Sequence, residues 1–160
     1  GFVGIEPESD EFEVCPVLRD RMVIITENSP RFREMKERGA KVTELMREPV
    51  IFREEGSGSR VVADRCLERM GISVSSLNKI AEMDNPENVK NYVANGMGVS
   101  IISAYAAEDF VRAGKILAFD LEDGGTFRNI YMVYEKDMNP SLLEKEFIDF
   151  VHGQIRGLNA

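Results

Sequence analysis

The amino-acid sequence predicts an α/β fold in which strands and helices alternate along the chain. Three observations support this class. From Pro49 onward, short apolar runs are separated by segments with helical spacing. The run Met22-Val23-Ile24-Ile25 is continuously apolar, as expected of a strand covered on both faces. Finally, Asn85-Pro86 and Asn139-Pro140 each place a capping residue before a proline, which predicts two helix starts.

The first part of the chain predicts three strands and one short helix. The strands are expected at residues 1–5, 12–18 and 21–26, and an acidic loop separates the first two. The segment Asn28-Ser29-Pro30 ends the third strand, because proline has no N–H and restricts the residue before it. A charged helix over residues 31–38 follows.

The remainder predicts five more strands, at residues 50–52, 77–83, 99–102, 116–119 and 129–134. Helices are expected after the first three of them and after Asn139-Pro140. Strands separated by such helices predict parallel pairing through right-handed crossovers. The turn Asp123-Gly124-Gly125 interrupts the alternation before the last strand.

Composition limits what the chain can do. Its 160 residues predict one domain or one two-lobed domain, and 20 basic against 28 acidic residues leave a net charge of −8. Such an acidic chain repels a phosphate backbone, so we expect no nucleic-acid binding by this chain alone.

Cys15 and Cys66 match no metal-ligand spacing and predict a reduced cytoplasmic compartment. No leader or membrane span is expected, and the strand-like opening residues predict a fragment.

The turn Gly56-Ser57-Gly58-Ser59 is the strongest candidate binding element. It follows a strand and precedes a helix, where small residues and hydroxyls meet the positive end of a helix dipole. An ordinary serine cap with a flexible turn is an equally good interpretation. A phosphate loop is excluded, because no lysine follows the glycines and Arg60 does not replace it. In the second such loop, Glu82 to Asn85, capping explains the sequence more simply than ligand contact.

No convincing catalytic set is present in the sequence. His152 is the only histidine, and the sequence justifies no Ser or Cys nucleophile beside it. Carboxylate pairs such as Glu54 and Glu55 arise by chance in an acidic chain, so they assign no acid/base role. We therefore predict no enzyme activity, no metal site and no cofactor.

Three segments together resemble the effector-binding domain of LysR-type transcriptional regulators. The first is Pro49 to Arg60, with its strand, Gly-Ser-Gly-Ser-Arg turn and helix. The second runs from Asn85-Pro86 through Gly96-Met97-Gly98-Val99 to Ser103. The third is Asn129 to Lys136 with the helix after it. In this order and spacing the segments are fairly specific, and they extend over nearly the whole chain.

The resemblance implies a two-lobed α/β domain, similar to periplasmic solute-binding proteins, with a small effector between the lobes. Residues 1–48 and 126–160 would form an incomplete first lobe and residues 49–125 the second lobe. By position, Ser57, Gly58 and Ser59 would line the cleft, and Asp84 and Asn85 would face the effector. Asn28 and Ser29 would lie at the first-lobe edge. Asp84 departs from the family, in which a hydroxyl or glycine is commoner at this place. Its carboxylate argues against a simple anionic effector and allows one that bears an amine or hydroxyl group.

The expected function is small-molecule sensing and dimerisation within a cytoplasmic transcription regulator. The chain would form a homo-oligomer, a dimer or tetramer, and would reach DNA only through a domain outside this chain. Effector identity, operator and direction of regulation cannot be inferred from the residues. Two alternatives remain open at this point. One is a solute-binding protein of a transporter, and the other is a small α/β hydrolase or transferase that uses residues 56–59 as an anion cradle.

Overall fold

The computed structural model describes residues 1–121 and 125–158, so Asp123 and Gly124 of the predicted turn lie outside the described residues. The strands are β1 (Phe2–Val3), β2 (Phe12–Glu27), β3 (Val50–Arg53), β4 (Lys79–Met83), β5 (Ser100–Ser103), β6 (Ile116–Asp120) and β7 (Thr126–Glu135). The helices are α1 (Pro30–Glu37), α2 (Val42–Leu45), α3 (Gly58–Arg69), α4 (Pro86–Ala94), α5 (Ala104–Arg112) and α6 (Leu142–Leu158), with a 3-10 turn at Val74–Ser76.

The chain divides into two compact units. Unit 1 contains Gly1–Arg19 and Arg128–Ala160, and unit 2 contains Asp20–Phe127. These bounds differ from the predicted segments, because residues 20–48 group with residues 49–127. The reason is the second half of β2, which pairs with β5 and β6. The assignment of the predicted segments to two lobes stays a prediction.

Unit 2 is built on a sheet with the strand order β4, β3, β5, β2, β6. Strands β3 and β4 are parallel, and a parallel bridge between Val50 and Val99 joins β3 to the start of β5. Strand β2 runs antiparallel to both β5 and β6. Consequently β3, β4, β5 and β6 point in one direction and β2 points in the other. We call the end where these four strands finish the carboxyl end and the opposite one the amino end.

Parallel pairing, predicted for strands separated by helices, is found between β3 and β4, whereas β2 pairs antiparallel with its neighbours. It was wrong to divide residues 12–18 and 21–26 into two strands, since β2 is continuous from Phe12 to Glu27. The charged residues Arg19, Asp20 and Arg21 do not interrupt β2, because backbone pairing does not depend on side-chain charge. The short helix α2 and the 3-10 turn were not predicted.

The core of unit 2 lies on both faces of its sheet. Met22 and Ile24 pack in the cluster beneath α1, α2 and α3, whereas Val23 and Ile25 pack in the cluster beneath α4 and α5. Alternate residues of a strand point to opposite faces, so a continuously apolar strand fits a sheet covered on both sides. The prediction for the run Met22 to Ile25 is confirmed.

Unit 1 pairs β1 with β7 and carries α6. This helix begins after Ser141, whose hydroxyl accepts a hydrogen bond from the N–H of Glu144 while the Glu144 carboxylate accepts from the N–H of Ser141. The predicted start at Asn139-Pro140 was therefore two residues early. The predicted apolar stripe of α6 is largely exposed, with Leu143 at 76% and Phe150 at 62%.

Among residues 1–121 and 125–158, no helix is both long enough and apolar enough to span a membrane.

Candidate functional site

Three helices begin at the carboxyl end of the unit-2 sheet, and each is capped by a side chain. Ser57 accepts a hydrogen bond from the N–H of Arg60 at the start of α3. Asn85 accepts from the N–H of Glu87 at the start of α4, over 2.8 Å. Ser103 accepts from the N–H of Ala106 at the start of α5. Because β3, β4 and β5 are neighbouring parallel strands, the positive ends of three helix dipoles gather at this end.

A left-handed glycine lies in the turn before α3, and a buried serine lies in the first turn of the helix. Gly56 has a φ of +84°, a conformation that glycine adopts without penalty. Ser59 is only 5% exposed. The capping hydrogen bond of this helix is made by Ser57, so the Ser59 hydroxyl is not needed for it. Capping by Ser57 and ligand contact by Ser59 are therefore compatible.

Two arginines near this turn are already engaged within the protein. The Arg60 guanidinium donates to the Asp64 carboxylate at 2.7 and 2.9 Å and to the carbonyl of Arg53 at 3.1 Å, and it lies over the Phe52 ring at 4.3 Å. Arg53 donates to Glu54 and to the carbonyl of Asp84. Arg60 thus holds α3 against β3. Because its guanidinium is engaged in these contacts, it does not take the place of a phosphate-binding lysine.

Next to the β4 end lies a cavity of about 340 Å³ with acidic walls. Its lining residues are Glu54, Glu82, Met83, Asp84, Asn88 and Tyr92. Although burial raises the pKa of the Glu54 carboxyl, the hydrogen bonds from Arg53 hold that pKa below its ordinary value. A hydrogen bond from Lys79 lowers the pKa of Glu82 in the same way. Both carboxyls are therefore ionised at neutral pH, and this wall favours donor groups such as hydroxyl or ammonium.

Two polar residues of the carboxyl end, Asp20 and Ser103, were not predicted from the sequence. The Ser103 hydroxyl donates to Asp20 over 2.8 Å, and both residues are buried. Ser103 ends a strand and starts a helix, so the strand-Ser-helix pattern that marked Ser57 could have identified it. Nothing in the sequence points to Asp20, since its neighbours in the chain form a strand.

Asn28 and Ser29 lie away from the other predicted site residues. They follow the end of β2, and because β2 is antiparallel they stand at the amino end of the sheet. The Asn28 amide donates to the carbonyl of Gly114 over 2.6 Å. Asn28 Oδ1 and Ser29 Oγ are buried without a hydrogen-bond partner among the described residues. The structure therefore brings together Ser57, Gly58, Ser59, Asp84 and Asn85, but not Asn28 and Ser29.

Residues 1–121 and 125–158 contain no cluster of three or more His, Cys, Asp or Glu side chains arranged to hold a metal ion. The structure does place a cysteine beside the only histidine, which the sequence did not indicate. Nδ1 of His152 lies 3.7 Å from Sγ of Cys15.

Comparison with known proteins relates the chain to transcription regulators. It is 26% identical over 150 residues to the HTH-type transcriptional activator CmpR of Synechocystis. This alignment covers 94% of this chain and 48% of CmpR. It is 32% identical over 146 residues to an HTH-type transcriptional regulator of Methanocaldococcus jannaschii, covering 90% of this chain and 48% of that protein. The chain thus spans about half the length of the curated relatives it matches.

Solved structures show the same fold. The regulatory domain of Synechocystis CcmR in complex with 2-PG superposes with a TM-score of 0.79 at 22% identity, over 96% of this chain and 72% of that one. The effector binding domain of QuiR in complex with shikimate gives a TM-score of 0.77 at 16% identity, over 94% and 68% of the two chains. The predicted α/β fold of the two-lobed, periplasmic-binding-protein type is confirmed.

A family model described as the LysR substrate binding domain matches residues 1–156. This match extends over nearly the whole chain and includes all three segments on which the resemblance was based. The protein therefore belongs to the LysR substrate binding domain family.

Proposed function

We propose that this chain is the effector-sensing part of a LysR-type transcriptional regulator and that a small molecule binds at the carboxyl end of the unit-2 sheet. The observation that carries this proposal is the gathering of three capped helix N-termini, those of α3, α4 and α5, at this end of the sheet. Free N–H groups at helix N-termini favour an acceptor group on the ligand, and the Ser59 hydroxyl in the first turn of α3 adds a donor there.

The β4 side of the same end favours the opposite chemistry. Glu54, Glu82 and Asp84 line the neighbouring cavity, and Asp84 follows β4 directly. A carboxylate there favours a hydroxyl or ammonium group on the ligand and disfavours a second anionic group. The proposed effector is therefore a small polar molecule with an acceptor, such as a carboxylate, at one end and hydroxyl or amine donors at the other.

The two curated relatives and two solved structures described above support a regulatory function. Both curated relatives are named as HTH-type regulators, and both solved structures are regulatory or effector-binding domains with different small molecules bound. In this proposal the effector shifts the population of domain conformations, and a DNA-binding domain outside this chain responds. The regulator acts in the cytoplasm as a homodimer or tetramer, with the DNA contacts confined to that other domain.

Ligand titration tests the site. We expect a panel of small hydroxy acids and amino acids to contain a compound that raises the melting temperature of the protein. With that compound, Ser59→Ala should weaken binding about 2- to 12-fold in titration calorimetry, the range for one neutral hydrogen bond. Ser29→Ala at the amino end is the matched control and should leave affinity unchanged. Equal affinity of the wild-type protein and Ser59→Ala would overturn the site.

A mobility-shift experiment tests the proposed division of labour. The chain alone, with its net charge of −8, should not shift duplex DNA even at low salt. A shifted band that weakens steeply with added salt would contradict the proposal that DNA contacts lie outside this chain.

Sedimentation of the same sample should show a dimer or tetramer, and a monomer at high micromolar concentration would contradict the proposed self-association.

A further inference from the structure

Unit 1 contains a contact between a thiol and an imidazole that the proposed function does not use. Cys15 lies on β2 and His152 on α6, 137 residues apart in the sequence, yet Sγ and Nδ1 approach to 3.7 Å. A thiol is a weak donor and the unprotonated ring nitrogen of histidine is an acceptor, so this separation fits an S–H···N hydrogen bond. A nucleophile within hydrogen-bond reach of a base is the arrangement that activates a cysteine.

The two cysteines of the chain differ in access. Cys15 is partly exposed, whereas Cys66 is 0% exposed and lies 3.1 Å from the hydroxyl of Thr126 in the core of unit 2. Thiol reactivity follows exposure and the availability of the thiolate. Cys15 has both access and a neighbouring base, while Cys66 has neither and serves as an internal control.

The surroundings of this pair are acidic. Burial first, and then the nearby Glu13, Cys15 and Asp149, raise the pKa of Tyr134. Glu13 and Cys15 are two residues apart on β2 and share a face, and Asp149 and His152 are one turn apart on α6. The negative groups repel anionic reagents and favour uncharged ones.

We propose that Cys15 and His152 form a covalent modification site for small uncharged carbon electrophiles. His152 Nδ1 accepts the proton of the thiol, and Sγ then attacks the electrophilic carbon. With iodoacetamide as the reagent, the S–C bond forms while the C–I bond breaks, iodide leaves with the electron pair, and the proton remains on the imidazole. The step needs no oxidant or reductant, and it is independent of the ligand site proposed for unit 2.

The rate of alkylation by iodoacetamide tests the site. In the folded protein at pH 6.5, mass mapping should find label on Cys15 and not on Cys66. The rate should exceed that of Cys15 in the urea-denatured chain by about fivefold or more. His152→Gln should lower the rate to the denatured value, and Cys66→Ser should leave it unchanged. A folded wild-type rate equal to the denatured rate would overturn the proposal.

A second variant and a second reagent keep the result decisive if His152→Gln misfolds. His152→Asn places an amide near the position of Nδ1 and, because an amide does not accept the thiol proton, should also lower the rate to the denatured value. A folded His152→Asn that keeps the wild-type rate contradicts the role of His152. Replacing iodoacetamide by the anionic iodoacetate should slow the folded protein more than the denatured chain, and an equal ratio contradicts the preference for uncharged electrophiles.

Discussion

The two ends of the unit-2 sheet use the same residue types in different ways. At the carboxyl end, Ser57, Asn85 and Ser103 each accept a hydrogen bond from a helix N–H. At the amino end, Ser29 precedes α1 in the capping position but makes no capping hydrogen bond, and Asn28 Oδ1 is buried without a partner among the described residues. A serine or asparagine before a helix is thus a common local pattern with two different outcomes.

Strand direction explains the difference. β3, β4 and β5 are parallel neighbours, so the helices that follow them start side by side. β2 is antiparallel, so α1 starts alone at the opposite end. A ligand site needs several polar groups converging on one place, and the three neighbouring helix starts make the carboxyl end the proposed location.

A glycine from each end gives the largest expected contrast in stability. A Cβ added to Gly98, at the amino end, would lie 2.4 Å from the carbonyl oxygen of Pro49, whereas one added to Gly56 meets no heavy atom within 4 Å. We expect Gly98→Ala to lower the free energy of unfolding by about 3 kcal/mol and Gly56→Ala by about 1 kcal/mol. Urea unfolding measures both, and equal losses would contradict the close approach at Gly98.

The two ends of β5 give the next contrast. Ser103 donates to the buried Asp20 and also caps α5, whereas Ser100 at the amino end donates to the carbonyl of Ile51 over 2.6 Å. A hydrogen bond to a charged group is worth more than a neutral one. Ser103→Ala should therefore cost about 2 kcal/mol and Ser100→Ala about 1 kcal/mol in urea unfolding. A larger loss for Ser100→Ala than for Ser103→Ala would mean that the hydrogen bond from Ser103 to Asp20 contributes little to stability.

Replacing the serine that precedes α3 and the serine that precedes α1 sharpens the comparison at a smaller scale. Ser57→Ala removes the hydrogen bond to the N–H of Arg60 and should cost about 1 kcal/mol. Ser29→Ala removes a buried hydroxyl that has no partner among the described residues, so its effect should be close to zero or stabilising. Thermal unfolding of the two variants in parallel measures this, and a larger loss for Ser29→Ala would contradict it.

The smallest expected effect is a dependence on pH through the pair that joins α4 to α5. The buried Lys90 donates to Asp109 over 2.7 Å and thereby lowers the pKa of that carboxyl. Its contribution to stability is present above the unfolded pKa of about 3.9 and is lost as the pH falls through the lower folded value. Asp109→Asn should therefore melt with a shallower acid dependence between about pH 5 and 3.

Glu108→Gln is the matched control for that experiment, because Glu108 pairs with Arg112 on the exposed face of the same helix. Its melting temperature should follow the wild-type acid dependence closely. A shallower dependence in Glu108→Gln than in Asp109→Asn would mean that the surface pair, rather than Lys90, carries the effect.

Local features of the sequence were sufficient to predict the fold class and several element ends. The cap and proline at Asn85-Pro86 start α4 where expected, because a cap depends only on the first turn of its own helix. The apolar run Met22 to Ile25 predicted a strand covered on both faces for the same kind of reason, since alternation of side chains is a property of one strand. The turn predicted at residues 56–59 forms only in its first half, because α3 begins at Gly58 with Ser57 as its cap.

Only the tertiary structure decided which of these residues meet. The direction of β2 separated Asn28 and Ser29 from Ser57 to Ser59. The contact of Ser103 with Asp20 joins residues 83 apart, and that of Cys15 with His152 joins residues 137 apart. Such pairs depend on strand order and helix packing, which are cooperative properties of many residues, and no local pattern in the sequence encodes them.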